Sequence, residues 1–206
     1  MDASVEPSAG LVEVLERARR LGVLGPGPVL EHVEHAAGFV AGLADLPAGS
    51  LLVDLGSGAG VPGLVVAEAR PDLRVVLLDS LERRCALLVE AVAALGWTDR
   101  VRVLQARAEE VGRDPDWRGT VDAVTARSFG PPAVVAECAA PLLRVGGLLV
   151  VSEPPDGADR WPAEDLAALG LVSDTAPPGM HRCRQARPCP DTWPRRVGLP
   201  AKRPLF

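Results

Sequence analysis

The sequence predicts an α/β fold: a doubly wound, mostly parallel sheet preceded by helices. Three observations predict it. Five short runs rich in Val and Leu, at 51–53, 75–78, 101–105, 121–125 and 148–151, alternate with segments of helical period. The first run breaks at once into glycines at 56, 58, 60 and 63, the mark of a strand entering a tight turn. The first two runs each end in an acid, Asp54 and Asp79. Strands alternating with helices close into a parallel sheet covered on both faces. Ligands in such sheets bind at the carboxyl ends of the strands, where Asp54, Asp79, Glu109 and Arg127 would converge.

Residues 10–22 place Leu11, Val14, Leu15, Ala18 and Leu21 on one helical face, and the turn Gly25-Pro26-Gly27-Pro28 ends that helix. A second amphipathic helix is expected over 29–44, with His32 and His35 near its edges and no spacing that suits a metal. After the glycine turn a helix starts near Pro62, where a missing N–H costs nothing. Pro71-Asp72 turns the chain into the second strand, and residues 81–95 repeat apolar positions at helical spacing. The third strand leads into Ala106–Glu110. A helix is expected across Pro132–Leu143, then a Gly146-Gly147 turn and the fifth strand. Beyond Val151 the pattern weakens: a loop at 152–157, a short helix at Pro162–Ala168, an edge strand at Leu171–Thr175, a further strand at His181–Ala186 and a Pro-rich, irregular end. Residues 1–49 are expected to form a helical segment packed on the core, and 50–206 the sheet domain with a basic tail.

Composition narrows the class. A hydrophobic share of 48% beside 24% charged residues is that of a soluble globular protein. No apolar run approaches the ~20 residues that span a bilayer. The N-terminus lacks the charged and apolar regions of a signal peptide, so a cytoplasmic protein without membrane contact is expected. Cys85, Cys138, Cys183 and Cys189 have neither C-x-x-C spacing nor histidines at zinc-like offsets. No metal is expected, and the thiols are read as reduced, with a Cys183–Cys189 disulfide as the alternative. The net charge of −5 is unevenly spread: from His181 to Phe206 seven cations face one acid, Asp191, a local +6 that leaves −11 on the rest. A basic tail on an acidic body either draws a polyanion to one edge or is simply solvated.

The loop spacing points to a cofactor. Gly56-Ser57-Gly58-Ala59-Gly60 reads G-x-G-x-G rather than the dinucleotide G-x-G-x-x-G, and no Lys-Ser or Lys-Thr follows as in a P-loop. Asp79 stands about where an acid meets a ribose hydroxyl in a βαβ unit, unless it only caps the next helix. An adenosine carrying a ribose but no pyrophosphate fits, and S-adenosylmethionine is the common cofactor of that description. Glu109 has two readings: acceptor for an adenine amino group, or an acid opposing a helix dipole.

VDLGSGAGVPG at 53–63, LLDSLERR at 77–84, Ala106–Glu110, TARSF at 125–129 and DTWPRRVGLPAKRPL at 191–205 together resemble the bacterial 16S rRNA guanine-N7 methyltransferases, the RsmG or glucose-inhibited division protein B family. The resemblance spans roughly residues 30 to 205, and its first and last motifs are the most specific. It implies a class I S-adenosylmethionine-dependent methyltransferase fold, with 50–206 as the methyltransferase domain. It also implies methylation at N7 of one guanine in 16S rRNA or the small ribosomal subunit; separately, a monomer is expected. The cofactor would be held by Asp54, Gly56, Ser57, Gly58, Gly60, Asp79, Ser80, Ala108, Glu109 and Arg127. Arg127 would also be catalytic, its fork meeting a phosphate or the acceptor edge of the guanine, unless it pairs with Asp122 or Glu137. Arg107, Arg195, Arg196, Lys202 and Arg203 would hold the RNA. Where the family carries Lys-Gly after the fifth strand, this chain reads Ser152-Glu153-Pro154, an acid in place of a cation.

Overall fold

A computed structural model describes residues 5–154 and 160–206. Helices α1 (Ala9–Arg20) and α2 (Val29–Gly42) come first. Ser8 opens α1 as its N-cap, its hydroxyl accepting from Leu11 N at 3.2 Å. Strand β1 (Leu51–Leu55) leads through the glycine turn into α3 (Gly63–Ala69), β2 (Arg74–Asp79), α4 (Glu82–Ala94) and β3 (Val101–Gln105). The chain then crosses back through α5 (Ala108–Val111) to β4 (Val121–Ala126), α6 (Pro132–Ala139) and β5 (Leu143–Ser152). Helix α7 (Ala163–Ala168), β6 (Leu171–Asp174), β7 (Met180–Gln185) and a last turn of helix, α8 (Leu199–Lys202), complete it.

The strands lie in the order β3-β2-β1-β4-β5-β7-β6. All neighbours are parallel except those of β7, which runs antiparallel to both β5 and β6. The direction of winding reverses between β1 and β4, and a crevice opens where crossover helices diverge at such a point. Register puts Leu55 beside Ala126, so Gly56 and Arg127 leave the sheet side by side at its carboxyl edge.

Alternation along each strand makes two apolar layers. Leu52, Val75, Leu77, Ala123, Leu148 and Val150 face α1 to α4. Val53, Leu55, Val76, Val124, Ala126 and Leu149 face the later helices, α6 chief among them. The N-terminal helices thus share a core with the sheet.

One boundary differs from the sequence reading. Helix α6 ends at Ala139, and Leu143 already belongs to β5, paired with Val121 ahead of a bulge, so Gly146 and Gly147 lie within the strand and not in a turn before it. Pro141 has no N–H to continue a helical ladder, and the apolar run through Leu142 and Leu143 suits helix or strand equally. The tail also holds more regular structure than its prolines suggest, in α8. All four cysteines are free and buried. Burial pushes the thiol of Cys183 up to about 12 and that of Cys189 to about 11, which keeps both protonated and inert at neutral pH.

Candidate active site

The glycine turn is built from beneath. Asp54, without exposed surface, accepts from Thr125 Oγ1 at 2.7 Å and from Gly63 N at 3.2 Å, tying β1 to β4 and to the start of α3. Ser57 Oγ donates back to the Asp54 carbonyl at 2.9 Å. Burial raises the Asp54 carboxyl to about 6, against the pull of its hydrogen bonds with Thr125, Ser57 and Gly63. A Cβ on Gly60 would meet Leu64 at 2.4 Å, so this glycine is needed for close packing. Asp54 and Gly60, expected at the cofactor, brace the loop from beneath. Ser57 turns its hydroxyl toward the Asp54 carbonyl and also borders the crevice.

Above the loop the crevice divides into three adjoining clefts that all share Ser128. A cleft of about 350 Å³ is lined by Gly56, Asp79, Ser80, Arg107, Ala108 and Glu109. Asp79 is 4% exposed; its Oδ2 accepts from Gly58 N at 3.0 Å and its Oδ1 from Leu81 N at 2.9 Å. A carboxylate offers about four lone-pair sites, so each oxygen keeps one for a ligand hydroxyl. Arg84, which the sequence reading passed over, stands 3.5 Å from Asp79 and borders two of the clefts. Glu109, in the first turn of α5, also accepts from Gly198 N at 2.9 Å, a partner in the tail that neither sequence reading of it foresaw.

A second, smaller cleft runs over Gly56, Ser57 and Gly58 to Arg127 and His32. The third, of about 760 Å³, lies beyond the ends of β4 and β5 and is walled by His35, Arg127, Phe129, Glu153 and Trp161. Arg127 borders both. Neither Asp122 nor Glu137 pairs with it: Asp122 takes Arg144 and Glu137 takes Arg195. Its Nη2 instead donates to His32 Nδ1 at 2.7 Å. An arginine can only donate, so Nδ1 accepts and Nε2 carries the proton, which is directed at the Gly25 carbonyl 3.2 Å away. Nη1 of Arg127 is buried with no hydrogen-bond partner among the described residues, which leaves a donor for a ligand. His35 is pushed toward its neutral form by burial and by the charge of Arg127. Ser128, next in line, holds φ 55, the one non-glycine residue at positive φ among those described. That left-handed backbone costs energy and is retained where the three clefts meet.

The model of the family described as rRNA small subunit methyltransferase G matches residues 32–161. The chain belongs to this family. Curated members named ribosomal RNA small subunit methyltransferase G include that of Symbiobacterium thermophilum, 35% identical over 86% of this chain and 78% of its own. That of a Roseiflexus species is 41% identical over 76% and 71%. Among solved structures, a putative O-methyltransferase from Klebsiella pneumoniae superposes with TM-score 0.58 at 14% identity, covering 88% of this chain and 92% of its own. A geranyl diphosphate methyltransferase in complex with S-adenosylmethionine does so with TM-score 0.54 at 18% identity, covering 76% of each chain. At these identities the structures show the fold, a class I methyltransferase sheet.

The basic tail is split in its duties. Arg195 clamps Glu137, which is fully buried: Nε lies 2.9 Å from Oε1 and Nη2 2.6 Å from Oε2. The guanidinium expected on RNA is therefore spent inside the protein. Arg196, Lys202 and Arg203 are exposed, as is Arg107 across the cleft, and Ala201 between them borders that cleft. Glu153, the acid in place of a cation, accepts from Trp161 Nε1 at 3.0 Å and faces Arg160 at 3.4 Å. Its charge is thus compensated locally. The sequence reading missed His32, Phe129 and Trp161 as site residues. For Phe129 the signal was its place in TARSF; the other two are brought in only by the fold.

Proposed function

We propose that this chain transfers the methyl group of S-adenosylmethionine to N7 of a guanine in 16S rRNA, presented as rRNA or as the small ribosomal subunit. The donor set suits that cofactor. Asp79 would accept from the ribose hydroxyls, Ser80, Ala108 and Glu109 would border the adenine, and Gly56 and Gly58 would let the ligand approach the loop backbone. When bound, the cofactor supplies a methyl group on a positively charged sulfur. Guanine N7 has a lone pair and no proton, so the chain needs to orient and enclose rather than to move a proton.

The observation that carries the reading is Arg127, which spans the glycine-loop cleft and the larger cleft beside it. A cation there holds the acceptor base or its phosphate next to the methyl donor. Arg107, Arg196, Lys202 and Arg203 line the approach as contacts for the RNA backbone. Helix α2 serves the methyltransferase domain as a wall, through His32 and His35. We further place the protein in the cytoplasm as a monomer; among the described residues no helix is long and apolar enough to cross a membrane.

The test is transfer of label from S-adenosylmethionine to small subunits lacking their own N7 methylation, followed by digestion to nucleosides. Label in 7-methylguanosine is expected. No incorporation, with cofactor binding confirmed separately, would overturn the reading.

A further inference from the structure

The larger cleft holds a carboxylate for which methyl transfer to N7 has no use. Glu153 follows β5 and borders the same space as Arg127, Phe129 and Trp161. Its side chain is 14% exposed, and it is held by donors of its own chain: Trp161 Nε1 on Oε1 at 3.0 Å, and Arg160 Nη1 3.4 Å from Oε2. Trp161 is itself fixed, stacked on His181 with ring centroids 4.4 Å apart and 2° between planes. Among the described residues these are the two side-chain donors on a group with about four lone-pair sites, and Glu153 itself lines the cleft, so the carboxylate keeps acceptor capacity there.

An acceptor-only group of this kind asks for two adjacent donors. Guanine carries them on its Watson–Crick edge, N1–H beside N2–H2, while its opposite edge shows the acceptors O6 and N7. Adenine reverses the pattern, with an acceptor at N1 and a donor at N6. The cleft has matching polarity: Arg127 at the boundary with the glycine-loop cleft, and Glu153 in the part that this smaller cleft does not share. Phe129 supplies an aromatic wall. We propose that Glu153 is a guanine-reading residue, accepting from N1–H and N2–H2 while N7 faces the methyl donor. An adenine in the same place would set its N1 lone pair against the carboxylate, and the wrong base would be rejected by repulsion as well as by a lost bond.

This inference rests on the guanine-N7 reading above, and the two fail separately. Once digestion has mapped the acceptor, small subunits are assembled with inosine at that position, which keeps N7, O6 and N1–H and lacks only the 2-amino group. For the natural chain, kcat/KM is expected to fall about 10- to 100-fold on the inosine subunits, the usual worth of a hydrogen bond to a charged group. Glu153→Gln, which keeps the volume and an acceptor for Trp161, and Glu153→Ala should both lose a similar factor on guanine and then distinguish guanine from inosine by less than about threefold. A merely structural Glu153 would lower activity on both acceptors alike and leave their ratio unchanged. Equal use of guanine and inosine by the natural chain, or undiminished discrimination by a folded variant, would overturn the inference alone. Absence of 7-methylguanosine from guanine subunits would bring down both.

Discussion

Asp54 is a charge placed where no water reaches it, and that has a measurable signature. Its folded value of about 6 lies above the ordinary 3.8. The folded state therefore holds the proton more tightly than the unfolded chain between those values. The penalty for ionising Asp54 is complete above pH 6 and disappears as the pH falls through that window, so its contribution to stability rises on acidification. Relative to Asp54→Asn, the natural chain should gain roughly 2 kcal/mol between pH 7 and about pH 4.5. Urea unfolding of both proteins at the two pH values checks this; a gap that does not move with pH would refute it. Arg127 and His32 form the second pair to probe. Arg127→Ala should reduce methyl transfer by at least about 100-fold and leave cofactor affinity within about threefold. Loss of that affinity in a binding titration would assign Arg127 to the cofactor instead. His32→Ala removes the acceptor that aims the guanidinium, with an expected fall of about 10-fold in kcat, whereas His32→Asn, whose amide oxygen replaces Nδ1, should recover most of it. Equal loss in both variants would mean that His32 acts by packing alone.

At the level of elements, the tail is a strap fastened at several points. Arg118 donates to the carbonyls of Cys189, Pro190 and Trp193 at 2.7–2.9 Å, Arg195 holds Glu137 of α6, and Glu109 of α5 holds Gly198. Arg195→Ala would leave the buried Glu137 carboxylate without its cation, though still accepting from the backbone N–H of residue 195, which costs about 3 kcal/mol. A lower melting temperature together with weaker cofactor binding is expected, because Ala201 and Glu109 both border the cleft. A melting temperature within a degree of the natural chain would show that the strap is not fastened there. These contacts also mark what the sequence could reveal. The parallel part of the sheet was legible because β1 to β5 each carry a run rich in Val and Leu and several of the turns between elements are marked by Gly or Pro, signals that lie within a few residues of one another. Asp79 and the bare loop were legible for the same reason. Arg195 was not, since its partner lies 58 residues away, and His32 meets Arg127 across 95. Nothing in local spacing distinguishes an arginine that grips a buried glutamate from one left for a phosphate.

At the scale of the whole molecule, the −11 body and +6 tail would together repel a polyanion everywhere except at one edge. The fold reduces the size of that edge. Arg182 and Arg184 pair with Asp174, Arg182 also with Asp45, and Arg195 with Glu137, so much of the positive charge is neutralised within the protein. Arg196, Lys202 and Arg203 remain exposed on either side of Ala201, which borders the cleft, and together with Arg107 they are residues through which RNA binding should depend on salt. Each phosphate neutralised releases counterions and adds about 0.7–0.9 to the slope of log affinity against log salt. Replacing all three with alanine should therefore lower that slope by about 2 for small-subunit RNA while leaving the melting temperature nearly unchanged. Arg195→Ala should do the reverse, lowering stability with little change in slope. Filter binding across a salt series separates the two. If the triple variant kept the natural slope, the RNA would have to approach over another face, where the acidic body offers it little.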